Sequence, residues 1–399
     1  MKLTLLLDLD DTLLGNNMDT FLPAYFHALS RQLGQFAASD EMLPALLAGT
    51  RAMVANTSPA RTLEAAFDAA FYPGLGLDKA ALQEVITRFY EEEFPKLRSV
   101  TQPIPAAVDL IRHAADCGYD IVIATNPLFP LRAVEHRLEW AGVPKETYPY
   151  RLVGNYRQFH FSKPGPAYYA EILGQLGWPN QPAVMIGNDL NDDILPASTL
   201  GLPVYWVTGD PDASLPESAH PRSSAGTLAK AVPWMDGLAG NRPLPLSDRP
   251  EASLAILRST PAAIDSLMRS RSESDWTARP KPGEWSATEI ICHLRDADCD
   301  VNLPRLQRVL QEENPLLSGI NTDAWAEERQ YALQDGCQAL AEFIRVRVSM
   351  IRMLEALPAE DWSRPARHTI FGPTTLQELV GFIATHDRTH LQQLTAALP

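Results

Sequence analysis

The chain has 399 residues, 45% of them hydrophobic and 21% charged, with a formal net charge of −15. At roughly 100–200 residues per domain this length predicts two or three domains, and the composition excludes a disordered chain, a collagen-like repeat and a small disulfide scaffold. The acidity argues against a nucleic-acid backbone as partner. The four cysteines, Cys117, Cys292, Cys299 and Cys337, contain no CxxC pair, as expected in a reducing compartment.

The first seven residues begin like a signal peptide, but Asp8, Asp10 and Asp11 interrupt the apolar run. No stretch approaches the roughly 20 apolar residues of a membrane span, so the expectation is a cytoplasmic protein with no membrane partner. Residues 4–9 read as a buried parallel strand opening onto a loop. Residues 18–96 are helical in pattern, broken near Ser39-Asp40, Thr57-Ser58-Pro59 and Tyr72-Pro73-Gly74. That run is too long for a crossover, and predicts an inserted helical subdomain of about four helices, at approximately 16–100. Further strands are predicted at 120–124, 182–186 and 203–207, with helical patterns between them. Alternation of this kind predicts an α/β doubly wound parallel sheet.

Residues 241–250 are rich in proline, glycine and polar side chains, a linker composition. No convincing strand is predicted beyond it. Helices are expected at 253–271 with a break at Pro261, at 286–313, at 335–357 and at 374–398, and Ser286 with Glu289 has the spacing of a capping box. Four helices with moderate loops predict a bundle.

Four pieces of the first region carry chemistry: Asp8-Leu9-Asp10-Asp11-Thr12, Thr125-Asn126, Lys163-Pro164 and Gly187-Asn188-Asp189-Leu190-Asn191-Asp192-Asp193. In an open α/β sheet they gather beyond the carboxyl ends of the strands. Asp8 can attack phosphorus and form an aspartyl-phosphate. Asp10 can protonate the leaving oxygen and then activate water. Mg2+ would be held by Asp8, the Asp10 backbone carbonyl and an acid of the fourth piece. Thr125 and the Asn126 amide can bind phosphoryl oxygens, and Lys163 supplies fixed positive charge.

These residues resemble the four motifs of the haloacid dehalogenase (HAD) superfamily over roughly residues 1–240. The resemblance implies a Mg2+-dependent phosphatase with a helical cap that selects substrate, because members with an acid at the Asp10 position tend to be phosphatases. The fourth motif often begins Gly-Asp, whereas here Asn188 follows Gly187. The family spacing then puts Asp189 as the metal ligand and Asp193 as its support, with Asp192 an alternative. Cys117 is expected to be a small helical core residue, and His113, His136 and His160 structural or solvated.

In the last 150 residues the signal is histidine spacing. His386 and His390 lie one helical turn apart, offset by about 40°, and His293 sits in the second predicted helix. In a bundle these faces can meet, giving three neutral nitrogen ligands and an open position for water. The segment Glu284–Asp296 together with His386-x-x-x-His390 resembles the DinB-like family, over residues 251–399. That resemblance implies a three-histidine site for a divalent transition metal, Zn2+ or Ni2+. Relatives include thiol-dependent transferases and isomerases and metal-dependent hydrolases, so the reaction stays open. Glu289 and Asp387 read equally as partners orienting the ligands or as solvated helix faces. His368 is read in a loop, structural or substrate-facing, and Cys292 and Cys299 as small buried residues.

The expected function is therefore hydrolysis of a phosphomonoester on a small metabolite by the first domain, with an accessory metal-binding bundle. The alternatives are a thiol-dependent or hydrolytic activity in the bundle itself, with a low-molecular-weight thiol as partner, or a non-enzymatic dimerisation or sensing module.

Overall fold

The computed structural model describes residues 1–36, 39–210, 212–322 and 324–398. The first apolar run forms β1 (Thr4–Leu7), buried at every position. After it come β2 (Leu14–Gly15), four helices α1 (Met18–Leu33), α2 (Ser39–Val54), α3 (Leu63–Leu75) and α4 (Lys79–Arg88), and β3 (Gln102–Pro103). β2 and β3 pair antiparallel, so the helical insert leaves and re-enters through one short ribbon. The break expected at Tyr72-Pro73-Gly74 comes slightly later. Pro73 is tolerated in the last turn of α3, and Gly76 ends the helix at φ 64, a left-handed conformation that glycine adopts without strain.

Helices and strands then alternate: α5 (Pro105–Asp116), β4 (Asp120–Ile123), α6 (Leu131–Trp140), β5 (Tyr150–Val153), α7 (Pro166–Gln175), β6 (Ala183–Gly187), α8 (Leu195–Thr199), β7 (Val204–Val207), β8 (Ser224–Gly226) and α9 (Ala231–Asp236). Six strands form one sheet in the order β5-β4-β1-β6-β7-β8, all parallel. This is a doubly wound sheet with β1 central. β5 and β8, which the sequence pattern missed, are its two edges. Partial exposure there removes the need for a continuous apolar run.

The described residues cluster into two compact units. The first comprises Met1–Thr57, Arg61–Tyr169 and Asn180–Pro245; the second comprises Ser58–Ala60, Ala170–Pro179 and Leu246–Pro399. No helix among the described residues is long and apolar enough to cross a membrane.

The second unit is mainly helical. Its elements are α10 (Pro250–Met268), α11 (Glu273–Thr277), α12 (Ala287–Ala297), α13 (Leu303–Gln311), β9 (Leu316–Leu317), α14 (Trp325–Glu328), α15 (Gly336–Glu355), β10 (Pro365–His368), β11 (Gly372–Thr375) and α16 (Leu376–Ala397). Three expectations are corrected here. α10 runs through Pro261 without breaking: the proline has no N–H for the Leu257 carbonyl, and Arg347 Nη1 donates to that oxygen instead at 3.0 Å. The helix expected at 286–313 is two helices joined by a wide turn, Asp298–Asn302, just before Pro304. A small sheet, β11-β10-β9, is present, although its strands of two to four residues are too short to show a period. His368 thus ends a strand, paired with Gly372, and is not in a loop. The capping box of Ser286 and Glu289 is formed.

Candidate active site and metal centre

β1 pairs with β4 on one side and β6 on the other, with Leu7 opposite Ile123 and Ile186. The residues that follow these three strands therefore emerge side by side. The Asp8 amide donates to the Ile186 carbonyl at 3.0 Å, which fixes the start of its loop. Asp8 Oδ1 accepts from Lys163 Nζ at 2.6 Å, and Oδ2 accepts from Thr12 Oγ1 at 3.0 Å. Lys163 Nζ also donates to Asp193 Oδ1 at 2.5 Å. All three charged side chains are buried. Gly187 makes this possible, because a Cβ there would lie 2.3 Å from the Asp193 carboxylate.

Burial pushes the Asp8 carboxyl up to about 7, with Asp193 adding to the effect and Lys163 opposing it. Burial works against the Lys163 charge too, but Asp193 and Asp8 outweigh it and hold its pKa well above the usual lysine range. Asp10 is held at both oxygens: Oδ1 accepts from Asn16 Nδ2 at 2.7 Å and Oδ2 from Arg137 Nη1 at 2.6 Å. Arg137, on α6, is only 1% exposed and lies 4.8 Å over the Phe129 ring.

Asn188 faces this cluster. Its side-chain nitrogen lies within reach of Asp8 Oδ2 (3.2 Å), the Asp10 backbone oxygen (3.1 Å) and Thr12 Oγ1 (3.1 Å). Asp189, the metal ligand expected from spacing, does not. It is exposed, and its carboxylate accepts from the amides of Asn191 and Asp192, capping the turn that follows. Its amide in turn donates to Asp193 Oδ2 at 3.1 Å. Thr125 is buried just beyond the end of β4. Its backbone oxygen accepts from Tyr168 Oη at 2.6 Å. Next to it, Asn126 Oδ1 is buried with no hydrogen-bond partner among the described residues.

In the second unit, His293 comes from α12 and His386 and His390 from α16. The Nε2 atoms of His293 and His386 are 3.1 Å apart, and those of His386 and His390 3.0 Å apart. A tetrahedral ion bound at 2.0–2.1 Å sets neighbouring nitrogens about 3.3 Å apart, so the spacing fits one. His390 Nδ1 donates to Gln393 Oε1 at 2.8 Å, which leaves the lone pair on Nε2. Burial, reinforced by the neighbouring imidazoles, pushes His293 and His386 down to about 3. Burial also lowers His390. The triad is therefore neutral, the form that binds metal. Trp285 packs on it, its ring 10° from parallel with that of His390.

The residues read as orienting partners are engaged elsewhere. Asp387 and Asp298 both pair with the fully buried Arg347, at 3.0 Å from Nη2 and 2.6 Å from Nε. Glu289 accepts from Arg279 and from the Ser286 amide. Cys292 is buried, whereas Cys117 and Cys299 are exposed rather than core residues. Cys117 lies beside His113, which pairs with Asp236.

Residues 3–201 match the haloacid dehalogenase-like hydrolase family and residues 256–394 the DinB superfamily. The chain is a HAD-like hydrolase domain followed by a DinB superfamily domain. One curated protein, from Oceanobacillus iheyensis and named as a candidate metal-dependent hydrolase, is 27% identical over 117 residues. That match covers 29% of this chain and 66%, just under two thirds, of the relative. Among solved structures, a HAD phosphatase from Thermococcus onnurineus is 21% identical, covering 59% of this chain and 99% of that one, with a TM-score of 0.37. YfiT from Bacillus subtilis, a four-helix bundle of unusual topology, is also 21% identical, covering 36% of this chain and 83% of that one, with a TM-score of 0.34.

Two residues of the HAD-like site escaped the sequence reading. Asn188 was passed over because it carries no charge. Arg137 lies in a segment read only as a helical pattern between strands, where an arginine among apolar residues was the available signal.

Proposed function

We propose that the HAD-like domain is a Mg2+-dependent phosphomonoester hydrolase that acts on a small phosphorylated metabolite through an aspartyl-phosphate on Asp8. The observation that carries this reading is the buried Asp8 carboxylate at the mouth of the central strand, bound by Lys163 and Thr12, with Asp10 held two residues away. Asp8 Oδ attacks phosphorus while the bond to the leaving oxygen breaks, and Asp10 delivers a proton to that oxygen. Asp10 then takes a proton from water as the water oxygen attacks phosphorus, and inorganic phosphate leaves Asp8 free. The Thr125 hydroxyl and the Asn126 backbone amide, both donors just past the end of β4, receive the phosphoryl oxygens. Lys163 offsets the charge of the incoming phosphate in an acidic protein.

The donor set suits a hard cation: the Asp8 carboxylate, the Asp10 carbonyl and the Asn188 side-chain oxygen, once its amide is turned, are neighbouring oxygens that could hold it. Bound Mg2+ would screen the carboxylate from the phosphate it attacks. Steady-state assay of a phosphomonoester panel with Mg2+ tests the proposal. Turnover that is lost in Asp8→Asn is expected, and turnover that survives the substitution overturns it.

For the DinB domain we infer a divalent transition metal on His293, His386 and His390, supported by their three converging nitrogens. Co2+ titration should give the absorption of a low-coordinate site in the native chain and none in His386→Ala.

A further inference from the structure

Beside the histidine triad, within the second unit, is a cavity of about 250 Å³. That is room for about eight waters at roughly 30 Å³ each, or a molecule on the order of ten non-hydrogen atoms. His386 forms part of its wall, and Ile383, Phe382 and Phe371 line it with apolar surface. The rings of Phe371 and Phe382 lie 4.5 Å apart, and Phe371 is 56% exposed, so the rim carries uncovered apolar surface.

Asn302, Thr322, Arg305 and His368 break this surface. Arg305 is half-buried and lines the cavity. Its Nη2 donates to the Ser318 carbonyl at 2.6 Å, and it makes no ion pair among the described residues. Burial lowers its pKa, with no carboxylate to restore it. In a chain with 49 acidic side chains against 34 basic ones, a half-buried arginine without an acid is conspicuous. His368 also lines the cavity and is 4% exposed. Its Nδ1 accepts from the amides of Ile370 (3.2 Å) and Phe371 (3.4 Å), so its proton sits on Nε2. That N–H is buried with no partner among the described residues. A buried donor of this kind calls for an acceptor.

We propose that the cavity is the substrate pocket of the DinB domain and takes a small molecule with an apolar body and one carboxylate. Arg305 and His368 would bind the carboxylate while Phe371, Phe382 and Ile383 hold the body beside His386. One guanidinium and one imidazole N–H match the two oxygens of a carboxylate, whereas a phosphate dianion would need more donors. The assignment of the metal-facing side rests on the histidine triad holding a metal; the carboxylate pocket itself does not.

The test uses the full chain loaded with Zn2+ and a panel of aryl and alkyl carboxylates of about ten non-hydrogen atoms, 3-phenylpropanoate among them, each paired with its amide. Ligand-observed NMR should show acids binding at least tenfold more tightly than their amides. Arg305→Gln should remove that preference by weakening acid binding far more than amide binding, while Arg305→Lys should restore part of it. Probe protons should relax faster in Co2+-loaded than in Zn2+-loaded protein. If no acid on the panel outcompetes its amide, or if Arg305→Gln leaves the preference intact, the pocket assignment is overturned. Absence of bound metal with the acid preference retained overturns only the metal reading.

Discussion

In the HAD-like domain, Asp8, Asp10 and Asp193 are kept together below the surface by the cations of Lys163 and Arg137. In the DinB domain three imidazoles meet, and among the described residues none of them is hydrogen-bonded to an acid. A carboxylate near neutral pH carries charge that burial makes costly, so a cluster of them needs built-in cations. An imidazole can shed its proton, so burial alone gathers the triad. On the proposed function, the first site would therefore exchange part of its Lys163 contact on taking a cation and a phosphate. A metal at the second would compete with protons alone.

The largest expected effect separates the sites by chemistry. Asp8→Asn should lower phosphomonoesterase turnover by at least ~10³-fold, as removal of a nucleophile does, measured in steady state with Mg2+. Next comes the DinB domain's own buried cation, Arg347, which holds two buried acids. Arg347→Leu would leave Asp298 and Asp387 buried without their cation, and should destabilise the domain by about 3–5 kcal/mol in urea unfolding. A loss below about 1 kcal/mol would mean that the two acids find water.

Asn188→Asp sharpens the comparison by adding charge to the first site. Calorimetry should show Mg2+ bound roughly tenfold more tightly, a change of about 1.4 kcal/mol; unchanged affinity would place Asn188 outside the cation site. Acid provides the smallest and most graded contrast. With Asp8 near 7, a proton competes for the carboxylate below that pH, so Mg2+ affinity should fall from pH 8 to pH 6. The histidines work through folding. His293 and His386 accept protons only near pH 3 when folded, against 6.5 for an ordinary histidine, so the unfolded chain binds more protons between these values. Metal-free protein should then lose stability as pH falls below 6.5, by up to about 1.4 kcal/mol per pH unit for each histidine. A Tm that is flat from pH 7 to pH 5 would contradict neutral burial of the triad.

What could be read from the chain follows the physics of each element. The central strands announce themselves because both faces are buried, and the residues just past their ends, Asp8 and Thr125, could be located from that alone. Which of two consecutive residues faces the site could not. Asn188 and Asp189 differ by one step of backbone, and the capping of the next turn by Asp189 decides it. The edge strands β5 and β8 and the short sheet around His368 carry too little apolar pattern to be read. The passage of α10 through Pro261 depends on an arginine from α15, a partner no local window contains. His386 and His390 were legible because four residues are about one helical turn, and only the bundle's packing brings His293 to them.

The central claim is that phosphate passes through Asp8, and the most direct measurement is to look for it there. The full chain should be mixed with Mg2+ and a substrate from the panel, quenched in acid during turnover, and the peptide containing Asp8 examined by mass spectrometry. The account predicts a phosphorylated Asp8 peptide that forms and decays with turnover and is absent in Asp8→Asn. Steady phosphate release with that peptide unmodified, and undiminished in Asp8→Asn, would contradict it.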